Sequence, residues 1–159
     1  MVVASSPIKQ RILVIDDEAV TRRVLGLALR DAGYDVEEAG SAEDAVAMAA
    51  TKPFDLALVD KNLPGMSGLD GIAAIRRASD KTVALLMTAY PSLESLEQAR
   101  TAGAIGYVLK PFEDLGKIVD LVRMVFTDGG KSAGVERTFS SVVDEIRRLK
   151  SDPPEPSRK

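Results

Sequence analysis

The chain has 159 residues, 45% of them apolar and 28% charged, with a formal net charge of −3 and a pI of about 5.1. That length suits one domain of ordinary size with a short extension, and the acidic balance argues against non-specific nucleic-acid binding, which needs a basic footprint. Cysteine and histidine are both absent, which excludes disulfides, thiolate zinc sites, a cysteine nucleophile and any Ser–His–Asp triad. The stretch from Met1 to Pro7 lacks a basic region followed by a long apolar core. No run reaches the roughly eighteen apolar residues of a membrane span, so a cytoplasmic protein with no membrane contact is expected.

Short apolar runs alternate with amphipathic segments along the chain. Ile12-Leu13-Val14-Ile15 is the first run and ends in Asp16-Asp17. Glu18 to Ala32 predicts a helix with Val20, Val24, Leu27 and Ala28 on one face, and Gly33 stands where a terminating glycine belongs. Val36 to Ala39 is a weaker strand. Ser41, with Asp44 three residues later, predicts the start of a second helix with a small-residue stripe, Ala42, Ala45, Val46 and Ala49. Leu56-Ala57-Leu58-Val59 is the third strand and ends in Asp60. Asn62 to Met66 reads as a loop, after which Ser67 can cap a short helix containing Leu69, Ile72 and Ala73. Val83 to Met87 is the fourth strand, ending in Thr88. Pro91-Ser92 opens a helix to about Ala102, which Gly103 ends. Ile105 to Leu109 is the fifth strand, ending in Lys110, and Pro111 suits the first turn of a helix with Phe112, Leu115, Ile118, Val119, Val122 and Val125.

Four of the five strands are nearly continuous apolar runs, the pattern of parallel strands covered on both faces. Five strand–helix repeats with right-handed crossovers predict an α/β fold. It is a doubly wound, flavodoxin-like, five-stranded parallel sheet in the order 2-1-3-4-5, with helices on both faces and an extra C-terminal helix. The domain plan is an arm over 1–9, a main domain over 10–127, a Gly-rich linker over 128–134, a helix over 135–150 and a disordered tail over 151–159. Val135, Phe139, Val142, Ile146 and Leu149 recur at spacings of four, three, four and three, which makes the last helix amphipathic.

In an open parallel sheet, ligands bind beyond the carboxyl ends of the strands. Asp16, Asp17, Asp60, Thr88 and Lys110 all fall at those ends. Each taken singly has an ordinary account: a solvated turn, a loop residue, a helix cap, a surface lysine. Three carboxylates held close repel one another, so one protonates or a cation joins them. A hard oxygen cage with room for water suits Mg²⁺. Thr88 offers a hydroxyl and Lys110 an ammonium, both suited to phosphoryl oxygens, and phosphoryl transfer needs mainly positioning and charge neutralisation.

Four segments together resemble the receiver domain of response regulators, of the chemotaxis-regulator kind: Ile12 to Glu18, Val59 to Gly68, Met87-Thr88-Ala89, and Gly103 to Phe112. The resemblance covers residues 10 to about 127. It implies that Asp60 is the phosphorylated nucleophile and that Asp17, Asp60 and the Asn62 backbone carbonyl bind Mg²⁺, with Asp16 helping through water. It further implies that Thr88 and Lys110 hold the phosphoryl oxygens, that Tyr107 is a switch aromatic coupled to Thr88, and that the Lys110–Pro111 peptide is cis. Lys61 is a charged residue where the family commonly has an uncharged one. Tyr90, two residues after Thr88, stands at a position that tunes hydrolysis in the family, and slow self-dephosphorylation is expected.

With no histidine of its own, the chain would receive its phosphoryl group from a histidine kinase or a histidine phosphotransfer protein. The output would be a phosphorylation-dependent contact with a downstream protein, or with a second copy, on the face built from the fourth helix, fifth strand and fifth helix. About thirty residues follow Phe126, too few for a DNA-binding output module, so a stand-alone signalling adaptor that is not an enzyme is expected. The alternatives are a phosphorylation-independent interaction module and an aspartyl-phosphate hydrolase. The hydrolase would want a second aspartate two residues after the nucleophile, where this chain has Asn62. The C-terminal helix could pack on the domain, self-associate or dock a partner.

Overall fold

The computed structural model describes residues 9–112, 114–128, 143–144 and 146–148. The strands are β1 (Arg11–Ile15), β2 (Asp35–Ala39), β3 (Leu56–Asp60), β4 (Val83–Thr88) and β5 (Ala104–Leu109). The helices are α1 (Ala19–Asp31), α2 (Ala42–Thr51), α3 (Gly68–Ala78), α4 (Leu93–Ala102) and α5 (Leu115–Asp128). All strand pairings are parallel, in the order β2-β1-β3-β4-β5, as the doubly wound pattern predicts.

The period-2 alternation of each strand sorts its residues between two apolar layers. Ile12, Val14, Leu56, Leu58, Leu85 and Met87 point to the side covered by α1 and α5. Leu13, Ile15, Ala57, Val59, Leu86 and Tyr107 point to the side covered by α2, α3 and α4. Each fully buried Leu or Ile contributes about 1.5–3 kcal/mol over leaving it in water, so these strands hold the polar residues at their ends in fixed places.

Local signals set the helix boundaries. Ser41 and Ser67 each accept the N–H three residues on, from Asp44 and Asp70. Ser92 does the same with Ser95, and the Ser95 side chain returns the bond to the Ser92 N–H. Gly33 and Gly103, with φ of 102° and 104°, stop α1 and α4 in a backbone region costly for any residue with a Cβ.

Two expectations are corrected. In α1 the buried residues are Leu25, Gly26 and Leu29, whereas Val20, Val24 and Leu27 face solvent. The helix holds two apolar stripes. The sheet covers the leucine stripe, whose Leu25 and Leu29 join Ile12, Val14 and Leu58 in one apolar layer, while the Arg22 and Arg30 side chains reach Glu38 of β2. Pro111 does not enter the first turn of the last helix. α5 begins at Leu115, where the Asp114 carboxylate accepts the Gly116 N–H at 2.9 Å and so caps the start.

The expected linker beyond Asp128 and the tail from Ser151 lie outside the described residues, as do residues 1–8 of the arm and Val135, Phe139, Val142 and Leu149 of the stripe. Residues 143–144 and 146–148 are helical, and Ile146 is 2% exposed. It belongs to the apolar layer under α2, α3 and α4, with Val143 packed against that layer. Burial of Ile146 is what packing on the domain requires. An Ile146→Ala variant is therefore expected to lose about 2 kcal/mol, roughly 6 °C in Tm, with unchanged solution mass by light scattering. A changed mass with unchanged Tm would instead make this helix an association element.

Candidate functional site

Because the strands are parallel, their carboxyl ends share one edge, and the turns after β1, β3, β4 and β5 meet there. Asp16 directly follows β1 and is fully buried. Its Oδ1 accepts the Glu18 N–H at 2.9 Å, and its Oδ2 accepts from Lys110 Nζ at 2.7 Å. The Arg22 guanidinium donates to the Asp16 carbonyl at 2.6 Å and faces Glu38 of β2 at 3.7 Å, which ties this turn to the neighbouring strand. Asp17 is exposed.

Asp60 ends β3 and is 5% exposed. Its Oδ1 accepts the Asn62 N–H at 3.3 Å, and its Oδ2 lies 3.5 Å from Lys110 Nζ. At that distance the second contact is more a charge attraction than a directional hydrogen bond. Lys110 thus holds Asp16 firmly and leaves Asp60 lightly engaged.

Single carboxylate oxygens of Asp16, Asp17 and Asp60, one from each, lie within 4.8 Å of one another. Donor oxygens around one Mg²⁺, at about 2.1 Å each, stand about 3 to 4 Å apart, so a small contraction would let these groups share one ion. Electrostatics favours it. Burial, then the Asp16 charge, pushes the Asp60 carboxyl above its ordinary 3.8, although Lys110 and the Asn62 N–H pull it partly back. For Lys110, burial is the largest single influence and disfavours the charge. The hydrogen bond and charge of Asp16, with those of Asp60, together outweigh it and hold the ammonium above its ordinary 10.5. One ammonium faces three carboxylates, and the surplus negative charge, all on hard oxygen, fits a divalent cation.

Thr88 ends β4, one residue beyond the Met87 that pairs with Asp60, and is fully buried. Its Oγ1 accepts the Tyr90 N–H at 3.1 Å, and Tyr90 itself is exposed. Tyr107 on β5 is 1% exposed, with its hydroxyl 2.6 Å from Ser95 Oγ. Burial pushes that hydroxyl above its ordinary 10.0, while bonds to Ser95, Thr88 and the Ser92 backbone pull it back. The Lys110–Pro111 peptide is cis.

The structure therefore gathers Asp16, Asp17, Asp60 and Lys110 into one cluster, with Thr88 on the adjoining strand end. The sequence reading missed three supports. Arg22 carries no signal of its role in the sequence, and Gly68 enters there only as the last residue of the matching segment Val59 to Gly68. Ser95 was legible only as the second half of the Ser-x-x-Ser cap that opens α4.

The sequence profile of the response regulator receiver domain matches residues 12–123. The chain belongs to the receiver domain family. Receiver domains are the signalling modules of two-component systems, in which the partner is a histidine kinase. Over 114 residues the chain is 38% identical to the response regulator protein PilR of Pseudomonas aeruginosa, matching 72% of this chain and 25% of PilR. It is 33% identical over 151 residues to the transcriptional regulatory protein PdtaR of Mycobacterium tuberculosis, covering 92% of this chain and 72% of PdtaR. It thus spans only a quarter of PilR but most of PdtaR. Among solved structures, a CheY-like receiver from Methanospirillum hungatei superposes with a TM-score of 0.73 at 27% identity, over 76% of this chain and 96% of that one. The chemotaxis protein CheY4 of Vibrio cholerae gives 0.71 at 31% identity, over 74% and 99%. Among the described residues of this receiver, no helix is long and apolar enough to cross a membrane.

Proposed function

We propose that this receiver is the phosphoacceptor of a two-component phosphorelay, with Asp60 as the acceptor. The observation that carries the proposal is the convergence of Asp16, Asp17, Asp60 and Lys110 on one buried-to-exposed edge. Asp17, Asp60 and the Asn62 carbonyl would hold Mg²⁺, with Asp16 helping through water. When bound, Mg²⁺ neutralises the phosphoryl oxygens as charge builds on them. An Asp60 carboxylate oxygen attacks phosphorus, the bond from phosphorus to the donor's histidine nitrogen breaks, and that nitrogen leaves with the bonding pair. The product is an acyl phosphate on Asp60. Lys110, held only loosely by Asp60, turns one N–H to a phosphoryl oxygen, and the Thr88 hydroxyl takes another after releasing the Tyr90 N–H. Tyr107 follows Thr88, and a downstream protein or a second copy reads the α4–β5–α5 face. Intact mass after treatment with acetyl phosphate and Mg²⁺ tests the chemistry: one adduct is expected, and none would sink it.

A protein donor must land beside this edge, and α1 begins there. The solvent side of α1 carries Val20, Val24 and Leu27 at spacings of four and three, 75%, 42% and 58% exposed. Large apolar side chains left in water in one stripe suit a helix of the donor. Leu27→Glu is expected to slow transfer from the cognate phosphohistidine at least about tenfold and to leave acetyl phosphate labelling unchanged. Equal slowing with both donors would place the defect in the site and remove α1 from docking.

A further inference from the structure

The tyrosine hydroxyl of β5 ends on a serine that takes no part in the phosphoryl chemistry. Tyr107 and Ser95 are each 1% exposed, and their oxygens lie 2.6 Å apart. Ser95 Oγ also belongs to the α4 cap: it donates to the Ser92 carbonyl at 3.0 Å and accepts the Ser92 N–H at 3.2 Å. A hydroxyl has one proton and two lone pairs. Ser95 Oγ also meets Ser92 Oγ at 3.0 Å, so its one proton and two lone pairs are shared between the Ser92 groups and the Tyr107 hydroxyl, and either oxygen can donate across the 2.6 Å contact.

We propose that Ser95 is a positioning residue of the switch, whose hydroxyl latches Tyr107 inward and joins that position to the integrity of the first turn of α4. The proposal rests on the reading of this receiver as a switch. Two further bonds give it reach. Ser92 Oγ accepts the Ser95 N–H at 3.0 Å, and Thr88 Oγ1 accepts the Tyr90 N–H at 3.1 Å. The turn from Thr88 to Ser95 is thereby hydrogen-bonded at the phosphoacceptor edge and again at Tyr107. If the ring swings out, the buried Ser95 oxygen loses its shortest partner. Water must then enter or the first turn of α4 must open. Ring position and α4 start are therefore one equilibrium rather than two.

The chain has three tyrosines and no tryptophan, so 3-fluorotyrosine labelling gives a simple ¹⁹F spectrum, assigned with Tyr107→Phe. Ser95→Ala is expected to raise the outward-to-inward ratio of the Tyr107 ring on the order of tenfold, read as a shift toward the exposed Tyr90 signal and as broadening by a soluble paramagnetic agent. Ser95→Thr keeps the hydroxyl and is expected to restore the inward signal. Tyr107→Phe is expected to speed amide hydrogen exchange in the first turn of α4 by a similar factor. A serine that only caps the helix would not answer to Tyr107→Phe. An unmoved Tyr107 signal in Ser95→Ala, or unchanged α4 exchange in Tyr107→Phe, overturns the latch. None of these readouts needs a phosphoryl group. Failure of the phosphoacceptor reading, seen as no adduct on Asp60, is a separate result.

Discussion

An Asp60→Asn variant given Mg²⁺ and acetyl phosphate is expected to gain no phosphoryl group by intact mass, where the parent is expected to gain one. The amide keeps the shape of the side chain and can still accept the Asn62 N–H, but it lacks the charged oxygen that the proposed transfer needs as its nucleophile. The same variant is expected to be more stable in metal-free buffer at neutral pH, by on the order of 1 kcal/mol or about 3 °C. Burial and Asp16 raise the Asp60 carboxyl above its ordinary 3.8, so the folded state binds this proton more tightly than the unfolded state does. Its stabilising contribution is complete below about 3.8 and is lost as pH rises through the raised value. The advantage of Asn therefore opens across that window and is flat above it. Mg²⁺ narrows the difference, because the ion binds the parent in its folded state and gains less from the variant. Thermal melts in EDTA and in Mg²⁺ over a pH series check both signs. A parent more stable than Asp60→Asn in EDTA at neutral pH would show that Lys110 more than offsets the burial of the charge.

Much of this structure is legible from residue order because buried parallel strands announce themselves as unbroken apolar runs, and their ends are where polar residues become informative. Ile12 to Ile15 and Leu56 to Val59 point without ambiguity to Asp16, Asp17 and Asp60. The α1 face was not legible for a physical reason. Val20, Val24, Leu27 and Leu25, Leu29 are both helical stripes, and only the sheet beneath decides which one it covers. The start of α5 is set by one carboxylate, Asp114, against the general preference for proline in a first turn. Ser95 and Tyr107 are twelve residues apart, and their contact depends on how α4 lies on β5, which no local pattern encodes. The fold is thus written in periodicity, whereas the couplings that would make it a switch are written in tertiary contacts.

Gly68→Ala is expected to cost roughly 4 kcal/mol, about 12 °C in Tm, more than a single added methyl usually does. Gly68 is the first residue of α3, and its N–H donates to the Lys61 carbonyl at 3.0 Å, which folds the loop from Asp60 back on itself. A Cβ at Gly68 would overlap the Asp60 carbonyl oxygen and stand 2.8 Å from both the Asp60 carbonyl carbon and the Lys61 Cα. These are backbone atoms and cannot rotate aside. The Lys61 N–H is bonded to the Met87 carbonyl at 2.8 Å, so relief would have to pull β3 away from β4 at Asp60, the proposed acceptor. Gly71 is the control. A Cβ there meets the Ala42 side chain of α2 at 3.0 Å, a contact that two helices can relieve by a small shift. Urea melts of the two variants are expected to differ by more than about 2 kcal/mol. At a temperature where both remain folded, acetyl phosphate labelling of Gly68→Ala is expected to fall at least about tenfold, because an acceptor displaced by an ångström loses its alignment, while Gly71→Ala labels at the parent rate. Equal stability and equal labelling in the two variants would mean that the loop after Asp60 relaxes freely, and that the close approach of α3 does not position the acceptor.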